Sequence, residues 1–113
     1  MKAILDEQNA CTIRASFEDE NEAAVTPLSM SYRVDDLTGG VATLVVANTA
    51  VVPSTSYYDI EIPASSNVIL DQSHDYETRL VTVKFVYGAS NKQGAGEYEY
   101  LLKNLRRIEA LLA

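Results

Sequence analysis

The residues that could do chemistry are gathered most closely around the only histidine of the chain. Ser73, His74 and Asp75 are consecutive, and these residue types supply the nucleophile, the base and the orienting acid of many hydrolases. A triad works because its side chains converge in space, whereas consecutive loop residues point away from one another. The flanking sequence also lacks the turn that exposes a nucleophilic serine in α/β-hydrolases. We therefore expect a solvated loop histidine and no enzymatic activity.

Two acidic stretches offer oxygen ligands for a cation, at residues 18–22 and at 35–36. Neither has the spacing of an EF-hand loop, with its central glycine and terminal glutamate. One cysteine and one histidine cannot form a four-ligand zinc site. Cys11 lies on the apolar side of its predicted strand, where a thiol behaves as a small hydrophobe. We expect solvated acidic loops, no metal and no cofactor.

The charge balance excludes several classes of partner. The formal net charge is −7, from 16 acidic residues against 9 lysines and arginines. Nucleic acids and anionic membranes attract a basic face, and the nearest feature here is the isolated pair Arg106–Arg107. A single cysteine forms no internal disulfide. The apolar run at the amino terminus is too short for a secretory signal, so the sequence predicts a protein made in a cytoplasm.

The elements that must position these residues are strands. From Leu28 to Asp35 the chain alternates, with Leu28, Met30, Tyr32 and Val34 on one side and polar residues on the other. This period of two is typical of a strand with one buried face. The same pattern predicts strands at about 9–17, 28–35, 41–47, 56–62, 77–87 and 97–104. In the strand at 77–87 it puts Arg79, Val81, Val83, Phe85 and Tyr87 on one side, and we expect that side to face the core.

The connections are short and rich in turn-forming residues. Residues 18–22 and 35–40 are predicted turns, 49–55 a connection, and 88–96 a mobile loop. Residues 63–75 are predicted to hold one helical turn and an apolar plug at 68–70. No connection is long enough for the crossover helices of a parallel sheet. The sequence therefore predicts an all-β fold, an antiparallel immunoglobulin- or fibronectin type III-like β-sandwich over residues 1–105.

Residues 106–113 depart from this pattern as a short carboxyl-terminal tail. Leu105, Ile108, Leu111 and Leu112 fall near helical spacing, although so short a helix is not stable alone in water. Three alternatives remain open: the tail docks on its own sandwich, docks on a neighbouring subunit, or frays.

Exposed aromatic residues are the other candidates for contact with a partner. Tyr57 and Tyr76 are predicted to lie outside the core, and protein interfaces favour tyrosine. The alternative is that they are strand formers partly covered by their neighbours. The candidate interaction residues are Tyr57, Tyr76, Leu105, Ile108 and Leu112.

Four segments of the chain carry a family resemblance: residues 17–36, which include Val25–Thr26–Pro27–Leu28–Ser29–Met30, and residues 60–69, 77–83 and 97–105. In order and spacing they resemble a family of small proteins encoded by tailed bacteriophages. The resemblance implies a virion-associated structural protein with an immunoglobulin-like domain on the head, neck or tail. It carries no catalytic residues, and residues 106–113 are an addition to the family pattern.

What the resemblance implies is a non-enzymatic virion structural protein: a head decoration, neck or tail accessory protein packed in many copies. Its partners would be other virion proteins and further copies of itself in a homo-oligomer, with no nucleic acid and no membrane. Its location would be the virion after synthesis in the host cytoplasm. The alternative is an adhesion or receptor-binding module that recognises a host glycan or protein through its loops.

Overall fold

The computed structural model describes residues 3–71 and 73–105, most of which lie in β-strands. Seven strands follow one another along the chain: β1 Ala3–Asp6, β2 Cys11–Ser16, β3 Ser29–Asp36, β4 Thr43–Val51, β5 Tyr57–Ile62, β6 Tyr76–Tyr87 and β7 Lys92–Lys103. Two single 3₁₀ turns, Thr38–Gly40 and Ala64–Ser66, lie in the connections. In this described part of the chain, no helix is long and apolar enough to cross a membrane. The predicted all-β class is confirmed.

The strands form a five-stranded sheet in the order β1-β7-β6-β3-β4 and a two-stranded sheet of β2 and β5. Every pair is antiparallel except β1 with β7, which run parallel from Ala3 opposite Tyr100 to Asp6 opposite Lys103. The expectation of wholly antiparallel sheets is therefore wrong. Strand β1 is only four residues long, so its sequence shows no alternation, and its partner is the strand most distant along the chain.

The two sheets share one hydrophobic core. Its fully buried members come from both sheets and from the segment that follows β2: Phe17, Met30, Val34, Ile60, Ile62, Val81 and Tyr100. Val83 and Phe85 of β6 and Ile13 and Ala15 of β2 pack against this cluster. Successive strand residues point to opposite faces, so the inward face predicted for β6 is confirmed.

Two strands are longer than the sequence indicated. Strand β4 extends to Val51, through residues predicted as a connection. Strand β7 begins at Lys92, opposite Tyr87, so the predicted loop over 88–96 is reduced to a turn at 88–91. Gly94 stands opposite Phe85, and a Cβ built there would lie 2.3 Å from Cζ of that ring. Gly94 therefore makes room for a core side chain, which local composition does not reveal.

The segment 63–75 closes one end of the sandwich in a different way from the prediction. The expected helical turn is present at Ala64–Ser66. Of the predicted apolar plug only Ile69 is buried, whereas Val68 and Leu70 are exposed. Polar groups fill the interior beneath this segment.

The predicted helical tail, residues 106–113, lies outside the described residues, as do Ile108 and Leu112.

Candidate interaction surface

The residues around His74 do not assemble a catalytic triad. Ser73 Oγ donates a hydrogen bond of 2.7 Å to Asp71 Oδ1, and together with the Ser73 backbone it holds the pKa of that carboxyl below its usual range. His74 Nδ1 lies 3.8 Å from Oε2 of Glu77 and makes no hydrogen bond within residues 3–71 and 73–105. The serine and the histidine thus engage separate carboxylates.

The acidic stretch at 18–22 stabilises its own loop. Asp19 Oδ1 accepts the backbone N–H groups of Asn21 and Ala23. Glu20 accepts hydrogen bonds from Lys92 Nζ and, at 2.7 Å, from the Tyr87 hydroxyl, and these donors, Lys92 foremost, lower the pKa of Glu20 to about 2. The described residues contain no group of three His, Cys, Asp or Glu side chains placed to hold a metal ion.

A buried ion network anchors segment 63–75, and the sequence analysis did not foresee it. Arg79 is fully buried and donates through Nε to Asp36 Oδ2 at 2.7 Å and through Nη2 to Glu77 Oε1 at 2.9 Å. The same guanidinium donates to the carbonyl oxygens of Ser66 and Val68. Buried charges persist only when they are paired and hydrogen-bonded. In the sequence, the indication of such a network is an arginine at a strand position whose neighbours two residues away face inward.

Glu77 and Asn67 complete this anchorage. The Glu77 carboxylate accepts the backbone N–H groups of Leu70 and Asp71. The buried Asn67 side chain donates to the Asn9 carbonyl and accepts a 2.8 Å hydrogen bond from the Tyr100 hydroxyl. Burial raises the pKa of the Tyr100 phenol. These groups are enclosed and mutually satisfied, so they position a loop and offer no ligand site.

Tyr57 lies on the outer face of the two-stranded sheet, 41% exposed. The guanidinium carbon of Arg14 is 4.0 Å from the centre of its ring. Arg14 also grips Asp59 with two hydrogen bonds, of 2.8 and 3.1 Å, which hold the pKa of Asp59 below its usual range. The result is an exposed patch in which a tyrosine ring lies beside an ion-paired arginine, and interfaces are enriched in both residue types.

Tyr76 and Leu105 are exposed at a different place. Tyr76 precedes the buried Glu77 at the start of β6, so its side chain lies on the outer face of the five-stranded sheet. Leu105 follows Asn104, whose backbone N–H donates to the carbonyl of Asp75, so these two candidates share one end. Tyr57 is on the opposite face, so the three candidates that the structure describes do not form one surface.

The most conspicuous surface is the free edge of β4. Residues 41–52 contain no charged residue and no proline, and no strand in the described residues pairs with the outer side of β4. Val41, Leu44 and Val52 are each more than half exposed. Most proteins protect such an edge with charge, proline or bulges; here only register shifts opposite Tyr32–Asp35 remain. The uncharged run is visible in the sequence, but its position at an edge is not.

Comparison of the chain with protein-family models, with curated proteins and with solved structures finds no match.

Proposed function

We propose that this chain is a non-enzymatic structural protein of a tailed-phage virion that packs in many copies through its strand edges. The free, uncharged edge of β4 is the observation that carries the proposal. An exposed edge presents unpaired backbone N–H and C=O groups that can accept a strand from another chain. An acidic protein that must pack closely against copies of itself benefits from an edge without like charges.

The proposed architecture is an immunoglobulin-like sandwich. In the seven-stranded form of that fold the third, sixth and seventh strands share one sheet, and the first, second, fourth and fifth share the other. Here β3, β6 and β7 lie in the five-stranded sheet and β2 and β5 form the other, while β1 and β4 join the five-stranded sheet instead. The placement of β2, β3, β5, β6 and β7 supports the proposal, and it fits a domain that acts by packing.

The adhesion alternative would use the predicted loop at 88–96 together with surface tyrosines. Strand β7 occupies most of that segment, which leaves a short turn at 88–91. No observation favours the alternative over packing in a virion.

Two experiments test the proposal. Mass spectrometry of purified phage particles should detect the chain in many copies per particle, and its absence from particles would contradict the assignment. In the second experiment, Ala47→Lys adds a charge to β4, and Asn48→Pro removes a backbone N–H donor from the same strand. Each should abolish incorporation into particles, whereas Ser65→Lys, the same added charge on an exposed turn, should leave it unchanged.

Equal incorporation of all three variants would show that β4 is not the packing edge. Circular dichroism of each purified variant establishes that the sandwich itself is retained.

A further inference from the structure

A second strand edge is open on the other side of the five-stranded sheet. Strand β1 covers β7 only from Tyr100 to Lys103. Within residues 3–71 and 73–105, the segment Lys92–Glu97 of β7 has no partner on that side. Strand β2 is paired with β5 on one side and is likewise unpaired on the other. Two free edges therefore flank the same side of the sandwich.

A groove of about 220 Å³ lies between these edges. Its floor is apolar: Ile13, Ala15, Phe17, Ile60, Val81, Val83 and Phe85 line it, with residues 95–98 of β7 on its rim. A Cβ built at Gly96 meets no atom within 4 Å. Protein interiors are otherwise closely packed, so this inward-facing space is one that an added side chain would fill.

The combination of an apolar groove and a free strand edge is suited to an extended peptide. Backbone groups of the edge hydrogen-bond the added strand, and pockets receive every second side chain. The groove is smaller than the roughly 300–1,000 Å³ of typical small-molecule pockets. Its size and its position in line with β1 match a short strand that would continue the pairing of β7.

We propose that residues 106–113 of a second copy of this chain occupy the groove as an added strand. In an extended conformation Ile108, Ala110 and Leu112 lie on one side, which supplies the apolar alternation that the groove requires. Arg106 and Arg107 are the only adjacent basic residues in a chain of net charge −7. The exposed Glu97 on the rim of the groove complements them.

The eight residues 106–113 of the same copy are too few to reach the groove and also form a strand in it. Glu97 lies six positions before Lys103, about 20 Å away at 3.4 Å per residue, and β1 occupies this part of the edge. Eight extended residues span at most about 29 Å. A tail that leaves one end of the sandwich and enters the side of the next copy makes a head-to-tail contact, which generates rings or filaments.

The inference refines the proposed function but uses a different surface from β4. A mixing experiment on the full chain tests it. Gly96→Leu fills the groove and leaves the tail intact; Ile108→Asp disables the tail and leaves the groove open. The wild type should form higher oligomers in sedimentation velocity. Each variant should self-associate about tenfold or more weakly, because an apolar anchor is lost.

An equimolar mixture of the two variants should form a one-to-one complex and nothing larger, since one functional groove meets one functional tail. Thr26→Leu, an apolar substitution at an exposed site outside the lining of the groove, should behave as the wild type. Unchanged oligomers of either variant, a monomeric wild type, or no complex on mixing would overturn the inference.

A second measurement does not depend on Gly96→Leu folding. A synthetic peptide of residues 104–113, added to isotope-labelled full chain carrying Ile108→Asp, should shift the amide resonances of residues 13–17 and 94–97. Nuclear Overhauser contacts should show an extended peptide beside β7. A helical bound peptide or shifts elsewhere would refute the assigned site. Ala47→Lys should keep peptide binding, so failure of the β4 proposal and failure of this one are distinguishable.

Discussion

The interior of this sandwich is built differently at its two ends. Beneath segment 63–75 lies a polar end, made of Asp36, Asn67, Glu77, Arg79 and Tyr100, all nearly or fully buried. The opposite, aromatic end is made of Phe17, Phe85 and Tyr87. The centre of the Phe85 ring is 5.0 Å from that of Phe17 and 5.7 Å from that of Tyr87.

The difference shows how one core both fixes a polar connection at one end and leaves space beside its other end. At the polar end, directional hydrogen bonds fix a long connection that has little apolar surface of its own. At the aromatic end, rings fill the space over a glycine, and the side of the sandwich next to them stays open as the groove. The polar end is therefore closed on itself, while the aromatic end borders a surface on which another chain can pack.

The largest loss of stability is expected from Arg79→Met at the polar end. Removal of one partner leaves the Asp36 and Glu77 carboxylates buried and unpaired, which costs about 3–5 kcal/mol of the free energy of unfolding. Urea denaturation measures the loss. The control Arg33→Met breaks the partly exposed pair with Asp35, where about 0–1 kcal/mol is expected. Equal losses from the two variants would contradict the structural role of the polar end.

At the aromatic end the corresponding change is Gly94→Val. The added carbons collide with the Phe85 ring, which is held between Phe17 and Tyr87. Overpacking of this kind costs about 1–3 kcal/mol, measured by thermal unfolding. Gly96→Ala meets open space and should be neutral or slightly stabilising. If Gly96→Ala lowered the melting temperature and Gly94→Val left it unchanged, the result would contradict the packing of these two glycines described above.

A smaller effect is expected from Tyr100→Phe at the polar end. The variant keeps the ring and removes the hydroxyl that donates to Asn67, which leaves a buried acceptor unsatisfied at a cost of about 1–2 kcal/mol. Amide hydrogen exchange should report faster opening of segment 63–75. Tyr58→Phe, a change to a tyrosine of β5 outside this network, is the matched control.

The smallest effect concerns the pH dependence contributed by Glu20. Its pKa in the folded protein, about 2, lies below the ordinary 4.5, so its stabilising contribution is full above pH 4.5 and disappears as the pH falls towards 2. The difference in melting temperature between wild type and Glu20→Gln should shrink over this range. Glu61→Gln, the same change at an exposed carboxylate on β5, is the matched control. A difference independent of pH would show that the Lys92 and Tyr87 contacts do not act through the carboxylate charge.

Some features of the fold followed from side-chain periodicity and others did not. Alternation located six of the seven strands and the inward face of β6. It missed β1, which is four residues long, and it ended β4 too early because Thr49 and Ala50 carry little hydrophobic signal. It assigned residues 92–96 to a loop because their glycines, which accommodate Phe85 and border the groove, have the same local composition as a flexible turn.

The candidate surface was predictable only in part. Tyr57 and Tyr76 are exposed, as expected, but they lie on opposite faces, which spacing along the chain cannot reveal. The uncharged run at 41–52 was evident, whereas its place at a free edge depends on which strands pair. Arg79 occupies an inward position in the pattern, but its side-chain partners, Asp36 and Glu77, lie 43 positions and two positions earlier in the chain.

The sequence by itself determined which residues face inward, because a strand places successive side chains on opposite faces whatever its neighbours are. It also determined the net charge of −7, since net charge is a sum over residues. Tertiary structure alone decided the parallel pairing of β1, the buried ion network and the free edges of β2, β4 and β7. Each of these depends on which distant segments meet. Backbone hydrogen-bonding groups are the same for every residue type except proline, so local sequence does not encode their partners.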